Sequence, residues 1–294
     1  VLTTTLHRVL ESADHNFEAG RTPAARAAYE DLLERAQART DHPMEVIARA
    51  MLARCHLTRK DLDAAHEQID RAQRLLDSGH AASVARWHAA AARVAIDAGR
   101  SDAARAYLGW AEARDRWADA IDACELLAVS GAADRAVWLQ RAVDLGVEHE
   151  VDAPLGRLYA GLATFAEADG RVDEALDLWQ SAYGAYQKSG AATRLIVGAG
   201  WAVGVLAVRT EDWPLAQRHL DRVVTLAEAA DDCGDLLSLS LAELARIHEA
   251  SGDVIEARRV LLRAIGVARS HDLAGMWPER WRDVERHARA LEVL

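Results

Sequence analysis

The sequence predicts an all-α chain of about seven consecutive helical hairpins followed by a capping helix, and three observations predict it. One short phrase recurs along the 294 residues at spacings of 32 to 41. Compact side chains return at two fixed distances from the turn inside each phrase. No β-branched alternating run survives a pass along the chain, and 18 glycines and 5 prolines are too few for a loop-rich sandwich or barrel.

The phrase is a small or polar turn, then Ala five residues later, then a bulky residue four further on. Its clearest copies are FEAGRTPAARAAYEDLL, AIDAGRSDAARAYLGWA, AEADGRVDEALDLWQSA and HEASGDVIEARRVLLRA. Fainter ones are TRKDLDAAHEQIDRA, AVSGAADRAVWLQRA and TEDWPLAQRHLDRV. The turns fall at Gly20, Lys60, Gly99, Gly131, Gly170, Glu211 and Gly252. In chain order the hairpins are expected at 3–40, 43–78, 82–114, 116–148, 154–190, 193–231 and 235–270. Gly275 and Pro278 then restart the chain into a helix within 277–294, which covers the apolar edge of the stack. The whole of 1–294 reads as one such domain.

Each register has a physical reason. Seven residues before the turns stand Ala13, Ala53, Ala92, Cys124, Ala163, Gly204 and Ala245. Five after stand Ala25, Ala65, Ala104, Ala136, Ala175, Ala216 and Ala257. Two antiparallel helices approach closely only where both present small side chains at the crossing. Bulky residues nine after the turn, such as Tyr29, Trp179 and Leu220, share a helix face with the Ala and fill the wedge beside it. Pro23 and Pro214 suit a first helical turn. Asp61, Ser101 and Asp253 suit N-caps, since their oxygens accept from exposed N–H groups.

The pattern resembles the tetratricopeptide repeat family over about residues 3–270. Lys60 and Glu211 replace the family's turn glycine, and the fourth unit is short, 32 residues after the third turn. The period exceeds the family's usual value of about 34 and is similar to that of longer-helix variants in kinesin light chains and in sensor domains of bacterial signalling ATPases and kinases. The resemblance implies a right-handed α-α superhelix, a TPR-like solenoid whose first helices line a concave groove. On that implication the groove candidates are Arg54, Arg86, Arg93, Arg157, Trp201, Val205, Arg209 and Arg246. The Lys/Asn carboxylate clamp of the family's chaperone-binding members is missing at the matching positions.

Arg54, Arg86 and Arg93 cluster in the second and third units. Arginine forms bidentate bonds to carboxylates, so an acidic peptide or chain terminus fits there. Equally, these arginines are solvated or paired with acids such as Asp97. Trp201 and Val205 mark an apolar stretch that receives a hydrophobic side chain or is covered by the chain's own packing.

Composition narrows the function classes. Acidic residues outnumber basic ones 46 to 35, a net charge of −11, against the basic field of a nucleic-acid or anionic-membrane binder. The longest uncharged run, Leu195 to Val208, is shorter than the roughly 20 residues of a membrane span. Cys55, Cys124 and Cys233 lie too far apart for a metal or redox motif and suit a reducing cytoplasm. No cofactor or metal is expected. Gly198, Gly200 and Gly204 form GxGxxxG without the strand or the distant acid of a dinucleotide site, and read as helix packing. Arg282 and His287 resemble the R-x4-H motif of helical HEPN-class RNases, a spacing that chance alone supplies in a chain this rich in Arg. Among the nine tryptophans, Trp179 is expected in the core and Trp281 against the cap. The leading expectation is a non-enzymatic scaffold that holds a protein or peptide segment, acidic where the arginines cluster. The alternatives are a sensor region of a larger signalling protein, to which the start at Val1 points, and a helical RNase.

Overall fold

The computed structural model describes residues 2–77, 79–131 and 134–294, with side chains from Leu6 onward. Val1, Ser78, Ala132 and Ala133, which figure in the sequence reading, lie outside the described residues. Among the described residues there are sixteen α-helices and no strand. The chain forms two compact units, residues 1–151 and 152–294.

The first unit contains α1 (Leu2–Glu18), α2 (Thr22–Gln37), α3 (His42–Leu57), α4 (Leu62–Gln73), α5 (Ala81–Asp97), α6 (Asp102–Glu112), α7 (Trp117–Ser130) and α8 (Arg135–Glu148). Helices pack in pairs, α1 on α2 through α7 on α8, and odd helices also meet, α3 on α5 and α5 on α7. The second contains α9 (Leu155–Ala168), α10 (Val172–Lys188), α11 (Thr193–Arg209), α12 (Trp213–Glu228), α13 (Gly234–Ala250), α14 (Val254–Ser270), α15 (Leu273–Met276) and α16 (Pro278–Ala290). It pairs in the same manner, and α16 lies against α13 and α14. There α16 buries Val284 and Ala288 in the apolar cluster built by α11 to α14.

Burial follows the small-residue registers. All seven residues seven before the turns are buried, as are Leu32, Ala72, Ala111, Val143, Ala182, Val223 and Ala264, which stand twelve after them. At the Ala register five after, six of seven are fully buried, and Ala136 is exposed. The turns explain the exception. Gly20, Lys60, Gly99, Gly170, Glu211 and Gly252 all take positive φ, between 58° and 83°. Gly131 instead is extended, with φ −145° and ψ 114°. Helix α8 then begins at Arg135, four residues past its turn, whereas α10 begins two past Gly170. The late start rotates the first turn of α8, so Ala136 and Gln140 face solvent while Val143 returns to the core.

Two further expectations are corrected. Asp61 and Asp253 accept from Ala64 N and Glu256 N, but Ser101 makes no side-chain cap bond; Asp41 and Asp212 cap α3 and α12 instead. Gly275 does not restart the chain. It lies inside the short helix α15, capped by Asp272, and the break comes at Trp277. The glycines of GxGxxxG lie on α11 with no strand before them. A Cβ on Gly204 would stand 2.6 Å from Leu220, and one on Gly200 would stand 2.8 Å from Val223. Both glycines therefore set the approach of α12.

Candidate functional site

Among the described residues, each unit has a cavity lined by two of the predicted groove residues. In the first unit a cavity of about 530 Å³ is bordered by α1, α2, α3 and α5. Asp14 of α1 organises it. Its carboxylate accepts from Tyr29 Oη at 2.7 Å and from both terminal nitrogens of Arg86 at 2.9 and 2.6 Å. The bonds Arg86 donates to Asp14 hold its guanidinium above its ordinary pKa, while burial first and then the bond to Asp14 push the Tyr29 phenol well above its own. Arg93 has a matching partner one hairpin along, at 3.2 and 2.6 Å from Asp122 on α7. Two of the three clustered arginines thus meet acids of the chain itself, and these acids are Asp14 and Asp122 rather than Asp97.

Arg54 differs. Its guanidinium sits 4.6 Å over the Phe17 ring and beside the Met51 sulfur, and it makes no ion pair with any described carboxylate. Burial, and then the charge of Arg93, lower its pKa. It is the unneutralised cation of this cavity.

The second unit has a larger cavity, about 650 Å³, between α9, α10, α11, α13 and α16. Trp201 and Val205 line it, with Trp179, Tyr186, Leu236 and Trp277. Its polar edge is mostly engaged within the chain. Trp179 Nε1 donates to Glu167 at 2.7 Å, and Arg194 donates twice to Asp235 at 2.9 and 2.7 Å. Trp277 Nε1 also donates to Asp235, at 3.2 Å. Burial raises the Asp235 pKa, but the bonds from Arg194, the Leu236 N–H and Trp277 outweigh it and hold the carboxyl below its ordinary value. Two donors remain. Trp201 Nε1 is buried with no acceptor, and Arg280 lies 5.3 Å over the Trp201 ring without an ion pair among the described residues.

The other predicted positions stand apart from both cavities. Arg157 and Arg209 are exposed, and Arg246 bonds Glu243 at 2.9 and 3.0 Å. Arg282 and His287 have separate partners: Arg282 faces Glu279 and the Pro278 carbonyl, whereas His287 meets Glu249 at 2.9 Å. Trp179 is partly buried rather than fully inside, and Trp281, on α16, packs against the cluster of the second unit. Trp87, Trp110, Trp138 and Trp213 also pack on core clusters. Among the described residues no group of three His, Cys, Asp or Glu side chains is placed to hold a metal ion. No described helix is long and apolar enough to cross a membrane.

Phe17, Trp277 and Arg280 escape the register arithmetic. Phe17 stands three before the first turn, outside the counted positions, and Trp277 and Arg280 follow the last repeat. Asp14 stands six before the first turn and its partner Arg86 thirteen before the third, so no single register brings the pair together.

No protein-family model matches the chain, and no curated protein matches it. Solved structures do. The tetratricopeptide repeat sensor protein of the signal-transduction ATPase class from Pyrococcus horikoshii is similar with TM-score 0.71 at 13% identity, over 95% of this chain and 44% of that one. The apo form of RapI is similar with TM-score 0.60 at 10% identity, over 98% and 87%. The apo quorum sensor NprR from B. thuringiensis is similar with TM-score 0.52 at 11% identity, over 97% and 86%. At such identities the likeness establishes the fold. The chain spans under half the length of the Pyrococcus protein.

Proposed function

We propose that this chain, whose fold is that of the tetratricopeptide-type repeat proteins, is a non-enzymatic module that holds a segment of another polypeptide. The observation that carries the proposal is the cavity of the second unit. It combines about 650 Å³ of space with an aromatic and aliphatic wall, the make-up of sites that bury an apolar anchor. Affinity in such sites comes from a few buried anchors rather than from total area. In the first unit, Arg54 supplies one contact for an acidic group on the partner; Arg86 and Arg93 already have acids of the chain.

Peptides selected from a random display library against the purified protein test this reading. Val205→Trp fills the cavity from its wall and is expected to weaken the selected peptides at least tenfold with the melting temperature unchanged. Selected peptides that bind the variant equally well would place the site elsewhere.

A second reading is favoured by one observation. The similarity to the Pyrococcus sensor protein runs over 95% of this chain but only 44% of that one. On this reading the module belongs to a larger signalling protein, and ligand occupancy biases a catalytic region through its differential affinity for two states. A reading frame that continues into a nucleotide-binding or kinase region supports it, and a gene that encodes the repeats alone removes it.

A further inference from the structure

Two exposed helix faces of opposite charge lead us to infer that copies of this chain associate head to tail, the solvent-exposed face of α14 in one copy seated on that of α8 in the next.

On α14, Ile255, Arg259, Leu262, Gly266 and Arg269 follow one another at spacings of four and three, so they form one stripe, and all five are exposed. Ile255 is 84% exposed and Leu262 56%, while the opposite side of the helix buries Ala257, Val260, Leu261 and Ala264 in the cluster of its unit. Single exposed apolar side chains are ordinary. A stripe of them ringed by one sign of charge has the layout of an interface, an apolar centre with a polar rim. The rim here is basic, since α14 carries four arginines and one acid, Glu256. Arg258, Arg259 and Arg263 touch Glu292, Glu256 and Glu228 in exposed pairs, which contribute little and exchange partners readily.

Helix α8 carries the counterpart. Val137, Gln140, Asp144 and Val147 lie at spacings of three, four and three, all exposed, with Val137 at 65% and Val147 at 56%. Ala142, Val143 and Leu145 on the other side are buried. The rim around Val147 is acidic: Asp144, Glu148 and Glu150 are exposed and pair with no Arg or Lys among the described residues. Arg141 beside them is held by Glu112 at 3.1 Å.

The two stripes match in their offsets. Arg259 and Arg263 stand three before and one after Leu262, and Asp144 and Glu148 stand three before and one after Val147. Both charges therefore occupy the same flank of each helix, and antiparallel helices set equal flanks against each other. Val147 laid on Leu262 brings Glu148 toward Arg259 and Asp144 toward Arg263. Gly266, one turn beyond Leu262, puts no side chain in the way of the arriving helix. Pairing of like faces would set arginines against arginines or acids against acids, which is unfavourable. Contact between unlike patches leaves one face of each kind free at the ends, so association continues until it closes into a ring or runs open. An anionic membrane also suits a basic apolar stripe. Against it, α14 already spends its wide apolar side on the core, and the net charge of −11 repels such a surface.

Sedimentation equilibrium of the full chain provides the test. The weight-average mass is expected to climb past that of a dimer at concentrations up to about 0.5 mM, within reach of a micromolar to sub-millimolar affinity. Leu262→Glu blocks the α14 face, and the double variant Asp144→Arg, Glu148→Arg blocks the α8 face. All three positions are exposed, so both variants are expected to melt like the wild type; Ile255→Glu takes the place of Leu262→Glu should that one melt early. Each variant alone is expected to self-associate at least about tenfold more weakly than the wild type. Mixed in equal amounts, the intact α8 of the first meets the intact α14 of the second, and a one-to-one pair that grows no further is expected. A wild-type chain that stays monomeric, variants that assemble like the wild type, or a mixture without the pair would each overturn the inference. So would one variant losing assembly while the other keeps it, the mark of a like-faced dimer. Flotation of the wild type, but not of Leu262→Glu, with phosphatidylserine vesicles would assign the stripe to a membrane instead.

Discussion

Gly204 and Leu220 show at the scale of two residues why the repeat keeps its registers. One is the small residue before the sixth turn and the other the bulky residue after it. Leu220 is fully buried, and its branch atoms occupy the place a Cβ on Gly204 would need, 2.6 Å away. Gly204→Val therefore overpacks the crossing and is expected to cost about 1–3 kcal/mol. Leu220→Ala opens a cavity and is expected to cost about 2–5 kcal/mol. Because the two share one space, urea unfolding of the double variant should show less than the sum of the single losses; strict additivity would mean they do not meet. The same tight packing governs the thiols. Burial pushes Cys55 and Cys233 up to about 11 and Cys124 up to about 12, so none carries an activated thiolate at neutral pH.

At the scale of elements, the turn and the first residue of the next helix decide which face a helix buries. Lys60 and Glu211 hold positive φ of 59° and 58° although neither is glycine. An L-residue in this region carries strain of order 1 kcal/mol. Lys60→Gly and Glu211→Gly are expected to raise the unfolding free energy by about 0.5–1 kcal/mol each. Gly131→Ala is expected to be close to neutral, since its backbone is extended and nothing crowds the position. Thermal melts that rank the three otherwise would contradict this account of the turns. Helix α13 carries two buried acids shifted in opposite directions. Asp235 is held below its ordinary 3.8, so its contribution is present above that value and is lost as pH falls through the lower folded pKa. Burial raises Glu243 above its ordinary 4.5, so its ionisation detracts from stability at neutral pH and that loss is relieved on acidification. Asp235→Asn is expected to cost about 1.5–3 kcal/mol at pH 7 and less once the pH has fallen below the ordinary 3.8 and through the depressed folded value. A loss that stays the same across that range would show that the carboxylate charge is not its source.

On the scale of the whole molecule, periodicity and charge were legible to different depths. Hairpin order and the buried face could be read because close helix approach admits only small side chains, a constraint that returns every unit. Ala136 escaped it, since α8 starts four residues after Gly131 whereas α10 starts two after Gly170. The arginine cluster was legible as a cluster, yet its neutralisation was not. Arg86 meets Asp14 across 72 residues and Arg93 meets Asp122 across 29, pairings made by the stacking of hairpins rather than by spacing along one helix. Arg280 lies beyond the last repeat, where the register that located Trp201 and Val205 no longer applies. With a net charge of −11 and most clustered arginines already paired, the protein is expected to pass through heparin–agarose at physiological salt; retention there would reveal a basic face that the pairing hides.

The hairpin turns carry an implication for engineering. At Gly20, Gly99, Gly170 and Gly252 nothing lies within 4 Å of an added side-chain carbon, although the backbone there is left-handed. Splicing a short flexible loop into such a corner disturbs no packed neighbour and, by the slow growth of closure entropy with length, adds little to the cost of folding. These four corners are natural ports for an epitope, a fluorophore or a tether.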